Sequence, residues 1–133
     1  MKAVDSSVVV AALVDWHPHH DVAVRALGRK PRAIAHALIE SYSVLTRLPA
    51  PHRLAASLVG ELLTHAFVEA PLTLEPAEYR LFLADSAAAG LSGGSIYDAL
   101  IARTAARHGA RLVTADERAA KTYAAMGAIV ESI

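Results

Sequence analysis

The chain reads as an α/β protein: a mainly parallel sheet covered on both faces by helices. Three observations predict this. Short segments rich in valine, leucine and isoleucine alternate with longer alanine-rich segments, the order that yields parallel strands joined by crossover helices. Glycine follows several of the helical segments and proline opens or interrupts others, as helix stops and starts require. Hydrophobic residues make up 54% of the 133 and charged residues 20%, a composition that folds around its own core without staples.

The elements follow in order. Lys2-Ala3-Val4 is a short opening strand that ends at Asp5. Ser6 and Ser7 are good N-cap types for a helix over Val8 to Val14, although the β-branched start of that run also suits a strand. Trp16-His17-Pro18-His19-His20 breaks the run, and Asp21 to Leu27 forms a second helix ending at Gly28. Arg32 to Ala35 is a strand. His36 to Leu48 is a helix stopped by Pro49 and Pro51, and His52 to Ala66 is the next. Pro71 to Leu74 is extended. Pro76 opens a helix that runs to Ala89 and stops at Gly90. Gly93-Gly94 is a turn, and Ser95 to His108 is a helix closed by Gly109. Arg111 to Thr114 is a strand, Asp116 to Met126 a helix closed by Gly127, and Ala128 to Val130 begins the last strand. No repeat or linker divides the chain, so residues 1–133 are expected to form one domain.

Composition excludes several function classes. The absence of cysteine removes disulfides, thiolate metal sites and cysteine nucleophiles, and suits a reducing cytoplasm. An aspartate at position 5 interrupts any secretory leader, and no apolar run is long enough to span a bilayer; a cytoplasmic protein is expected. Thirteen basic residues balance thirteen acidic ones, so this is not a basic coat protein for nucleic acid. Bound metal ions can still supply positive charge locally.

Four acids stand out: Asp5, Glu40, Asp98 and Asp116. Asp5 sits at the carboxyl end of the first strand, where α/β sheets gather ligands; an ordinary turn residue is the structural alternative. Asp116 follows the strand Arg111 to Thr114 in the same way and is equally a good N-cap. Glu40 shares a helical face with His36, Ser43, Val44 and Arg47, which also suits a solvated stripe. Asp98 is the most informative. It shares a helical face with Ile101, Ala102 and Ala105, while Arg103 and Arg107 project on the other side. A carboxylate on a small apolar face is costly unless a cation compensates it. Hard divalent cations such as Mg²⁺ take oxygen ligands, usually a few carboxylates plus water. One or two such ions would relieve the repulsion among four acids, activate water and polarise a phosphate.

Around these acids the sequence resembles the PIN-domain family, and within it the VapC toxin ribonucleases of type II toxin–antitoxin systems. The matching segments are Val4-Asp5-Ser6-Ser7-Val8, the run Ala37-Leu38-Ile39-Glu40-Ser41-Tyr42-Ser43-Val44-Leu45-Thr46-Arg47-Leu48-Pro49, then Ile96-Tyr97-Asp98-Ala99-Leu100-Ile101-Ala102, and Leu112-Val113-Thr114-Ala115-Asp116. Each is weak alone; four in the family's order and spacing cover essentially the whole chain. The resemblance implies a three-layer α/β/α domain, with Asp5, Glu40, Asp98 and Asp116 as catalytic and metal-binding acids. It further implies dependence on Mg²⁺ or Mn²⁺, an RNA substrate cleaved internally, dimerisation, and a VapB-like antitoxin whose tail occupies the acidic pocket. Ser6 and Thr114 are candidates to orient ligands or water; helix cap and strand end are their structural alternatives.

Other features point elsewhere only weakly. His17, His19 and His20 flank Pro18 in a loop without the spacing of a zinc motif. Arg29, Lys30, Arg32, Arg47 and Arg53 are candidates to track RNA phosphates, and Tyr42, Tyr97 and Trp16 to stack on bases, though surface charge and packing account for these types equally well. Gly90-Leu91-Ser92-Gly93-Gly94 fits neither a P-loop nor a dinucleotide fingerprint. An aspartyl phosphatase would place a second Asp two positions after Asp5, where Ser7 stands. A non-catalytic RNA- or protein-binding module, or another metal-dependent phosphoesterase, is the alternative reading.

Overall fold

In the computed structural model, which describes residues 1–133, four strands and seven helices alternate. Strand β1 spans Lys2–Val4, β2 Arg32–Ala33, β3 Arg111–Thr114 and β4 Val130–Ser132. The helices are α1 (Ser6–Leu13), α2 (His20–Leu27), α3 (Ala35–Thr46), α4 (Ala56–Ala66), α5 (Pro76–Ala88), α6 (Ser95–Arg107) and α7 (Glu117–Ala125). The sheet order is β2-β1-β3-β4 and every pairing is parallel. Ala3 pairs with Arg32 on one side and Leu112 on the other, and Leu112 pairs in turn with Val130.

Side chains alternate across the sheet, and each set meets its own helical layer. Ala3 and Leu112 face one way, into a core with Ile101, Ala102 and Ala105 of α6 and Tyr123 of α7. Val4 and Val113 face the other way, against Val8 and Val9 of α1, Ala23 of α2, Leu45 of α3 and Val59 of α4. This is the three-layer α/β/α arrangement. A satellite cluster of Leu74, Phe82 and Ala99 seats α5 on α6, and the pairs Arg103–Asp85 (2.6 Å) and Arg107–Glu78 (2.8 Å) join the two helices across their outer face. No helix is long and apolar enough to cross a membrane.

Several element ends differ from expectation. The run after β1 is a helix, not a strand, and its cap is Asp5 rather than Ser6 or Ser7: the Val8 N–H donates to Asp5 Oδ1 at 3.3 Å. Gly28 after α2 is not left-handed; the chain reverses at Lys30 instead, with φ of 52°. Helix α4 begins at Ala56, four residues later than its composition suggests, because residues before it form a turn in which the His52 N–H reaches the Pro49 carbonyl and the Leu54 N–H reaches Leu45. By contrast Gly109 (φ +63°) and Gly127 (φ +89°) end α6 and α7 as read, in a left-handed conformation that favours glycine.

Ile101 is fully buried on α6 at the centre of the first core. Ile101→Ala is expected to cost about 3 kcal/mol through lost transfer energy and an unfilled cavity. Urea denaturation at neutral pH measures it, and a loss below about 1 kcal/mol would show that this core collapses around the gap.

Candidate active site

The connection from β1 leads outward to β2 on one side, while β3 and β4 lie on the other. The crevice between the carboxyl ends of β1 and β3 is thus the topological switch point of the sheet, where open α/β folds bind ligands. Asp5 and Asp116 lie there, each capping the helix that leaves its strand.

Asp5 is only 2% exposed and is held by four donors. Oδ1 accepts from Ser7 Oγ (2.6 Å) and the Val8 N–H (3.3 Å); Oδ2 accepts from Thr114 Oγ1 (2.6 Å) and the Tyr123 hydroxyl (3.1 Å). Burial pushes its carboxyl pKa up, and these donors offset only part of that. Tyr123 is itself raised, first by burial and then by the negative charge of Asp5, so its phenol stays protonated and donating. Thr114, fully buried, also accepts from the Asp116 N–H at 3.1 Å; one hydroxyl therefore ties the ends of β1 and β3 together. Ser7 Oγ in turn accepts from the Ala115 N–H at 2.8 Å.

Glu40 lies on α3, half-buried, between two partners. Ser6 Oγ donates to Oε2 at 3.1 Å, and His36 Nε2 lies 2.7 Å from Oε1. His36, Ser43, Val44 and Arg47, the residues that share its helical face, line a cleft with Glu40 on one wall; Tyr97, Asp98 and Arg118 line it opposite. The stripe that sequence alone left open as a solvated surface is therefore a cleft wall.

Asp98 sits in the first turn of α6. Its pKa is raised, first by burial, then by the negative charges of Glu40, Asp116 and Asp5, against the opposing pull of Arg118. Arg103 and Arg107 are engaged with α5 and do not relieve it. The four acids, drawn from α3, α6 and the ends of β1 and β3, thus act on one another electrostatically at one place. They do not form a ready-made cage: no three Asp, Glu or His side chains converge as a liganding group. Asp116 Oδ1 is turned onto the Arg118 and Ala119 N–H groups at 2.9 and 3.1 Å, and Asp5 is saturated by its donors.

The donor set nevertheless fits a hard divalent cation. Every candidate donor is a carboxylate oxygen, and Asp98 is raised first by burial and then by the negative charges of its neighbours, both of which a cation would offset. Mg²⁺ keeps most of its waters and needs only one or two carboxylates, so Glu40 and Asp98, open to the cleft, suffice to begin a site.

The sequence matches the PIN domain family over residues 2–125. The chain belongs to the PIN-domain family. It is 44% identical over 133 residues to Ribonuclease VapC40 of Mycobacterium tuberculosis, covering 100% of this chain and 99% of that protein. It is 43% identical over 126 residues to Ribonuclease VapC27 of the same species, covering 94% and 91%. With likeness at this level over the full chain, it is a PIN protein of the VapC type.

Sequence reasoning missed two residues of this PIN site. Ser7 carried a signal, standing two positions after Asp5, but read as a cap. Tyr123 carried none, since nothing in the local pattern of α7 marks which residue turns its hydroxyl towards β1.

Proposed function

We propose that this PIN protein is a metal-dependent endoribonuclease, the toxin of a VapBC-type toxin–antitoxin pair, hydrolysing RNA phosphodiester bonds. The observation that carries the reading is the gathering of Asp5, Glu40 and Asp116 around the partly buried Asp98, close enough for their charges to act on it, in a chain alike over its full length to proteins named ribonucleases. Glu40 and Asp98 would hold Mg²⁺, or Mn²⁺ in its place, with Asp5 and Asp116 completing the negative field. The cation supplies Lewis acidity towards the phosphate and lowers the pKa of a nearby water.

The chain's own groups do the positioning. Ser6 holds the Glu40 carboxylate by a hydrogen bond. Ser7, Thr114 and Tyr123 hold the Asp5 carboxyl in place and offset part of the cost of burying it. Asp98, in the first turn of α6, faces Glu40 across the cleft and would offer the second carboxylate to the cation. A VapB-like antitoxin would mask the acids, and a homodimer is the proposed assembly.

The test is cleavage of pooled structured RNA by the purified protein with Mg²⁺, with Mn²⁺ and with a chelator. Discrete products that require the metal are expected. Cleavage that persists in chelator, or none with either metal in protein free of antitoxin, overturns the reading.

A further inference from the structure

The cleft wall carries an aromatic pair that hydrolysis does not use. Tyr97, the residue before Asp98, stacks on His36 of α3, with ring centroids 4.9 Å apart and planes 11° apart. His36 Nε2 lies 2.7 Å from Glu40 Oε1. One face of the phenol is therefore covered by the imidazole. The residue nonetheless remains 53% exposed, so its other face opens onto the cleft it lines.

Two cations share this cleft with Tyr97. Arg47 and Arg118 line the same cleft, and neither belongs to any ion pair, whereas Arg32, Arg103 and Arg107 are each paired with a carboxylate. An aromatic face in one cleft with unpaired guanidinium groups, next to acids that grip a phosphate through a cation, matches a nucleotide in parts: base on the ring, neighbouring phosphates on the arginines. A base inside a duplex has both faces stacked already, and A-form grooves do not offer them to a side chain.

Resting on the ribonuclease reading above, we propose that Tyr97, backed by His36, is a base-stacking platform through which the cleft selects RNA with an unpaired nucleotide beside the bond to be cut. Arg47 and Arg118 hold the flanking phosphates.

The test reads binding apart from chemistry. Affinity for a short single-stranded oligoribonucleotide is measured in chelator by fluorescence anisotropy, for the unaltered protein, Tyr97→Ala and Tyr97→Phe, with abasic positions introduced one at a time. Tyr97→Ala is expected to bind about ten-fold more weakly, with Tyr97→Phe within about two-fold of the parent. One abasic position should weaken the parent by a similar factor and leave Tyr97→Ala unaffected. Undiminished affinity in Tyr97→Ala overturns the platform, as does equal binding of the parent to a fully paired duplex, or a Tyr97→Ala effect confined to association between protomers. A parent that binds with this Tyr97 dependence but cleaves no RNA under either metal leaves the platform standing and removes the ribonuclease reading. Metal-dependent cleavage with affinity indifferent to Tyr97 does the reverse.

Discussion

Asp98→Asn is expected to abolish RNA cleavage in a protein that keeps its fold. The substitution removes a charge and almost no volume from the first turn of α6, so the packing of that helix on the sheet is expected to be kept. Positioning partners of metal ligands are commonly worth 10–100-fold, so loss of a carboxylate proposed to hold the cation itself should cost about 100-fold or more in rate. Stability should move the other way. Asp98 is raised above its ordinary 3.8 by burial and by the charges of Glu40, Asp116 and Asp5. A carboxyl with a raised folded-state pKa binds its proton more tightly when folded, so its stabilising effect is present at acid pH and is lost as pH rises through the folded value. The metal-free Asp98→Asn protein, which has no such charge to develop, should therefore melt at a higher temperature than the parent near pH 7. The gap should shrink towards pH 4, and Mg²⁺ should raise the melting temperature of the parent alone. Full activity in a folded Asp98→Asn protein would remove Asp98 from the site.

Asp5→Ala is expected to unfold the protein far more easily than Asp5→Asn. Alanine loses the cap of α1, worth about 1 kcal/mol, and leaves the hydroxyls of Thr114 and Tyr123 facing a void. Each stranded buried donor costs about 1–3 kcal/mol, so a loss of at least about 3 kcal/mol is expected in urea denaturation. Asparagine keeps the size and one acceptor oxygen, and it removes a charge that burial already penalises. Its stability should lie close to the parent's while its cleavage fails, as with Asp98→Asn. Equal denaturation midpoints for the alanine and asparagine variants would show that the four-donor network carries no stability.

The strand Arg111–Thr114 and the helix stops at Gly109 and Gly127 were legible because local chemistry dictates them: a short run ending in β-branched residues between a helix stop and a helix cap in one case, a left-handed turn in the other. The start of α4 was not, because a turn stabilised by Leu45, on another helix, overrides the helical composition of residues 52–55. The site divides in the same way. The placement of Asp5 and Asp116 followed from their position after strands, and the isolation of Asp98 followed from helical periodicity, which also put Arg103 and Arg107 on the far side. The partners of Asp5 did not follow. Thr114 and Tyr123 lie 109 and 118 residues away along the chain, and which hydroxyl meets which carboxylate depends on the sheet register. The stack of His36 on Tyr97 was hidden for the same reason, since it joins α3 to α6.

The clasp of Asp5 by Thr114 and Tyr123 also fixes when the site comes into being. The first acid is made more than a hundred residues ahead of two of its four donors, which lie 109 and 118 positions further along. At about 5–20 residues per second, the earlier helices have seconds in which to collapse against β1 while the crevice has no second wall. Contacts so distant in sequence are entropically the last to close. A nascent chain therefore carries Asp5, Glu40 and Asp98 without the strand and helix that gather them, and becomes a working molecule only when α7 docks.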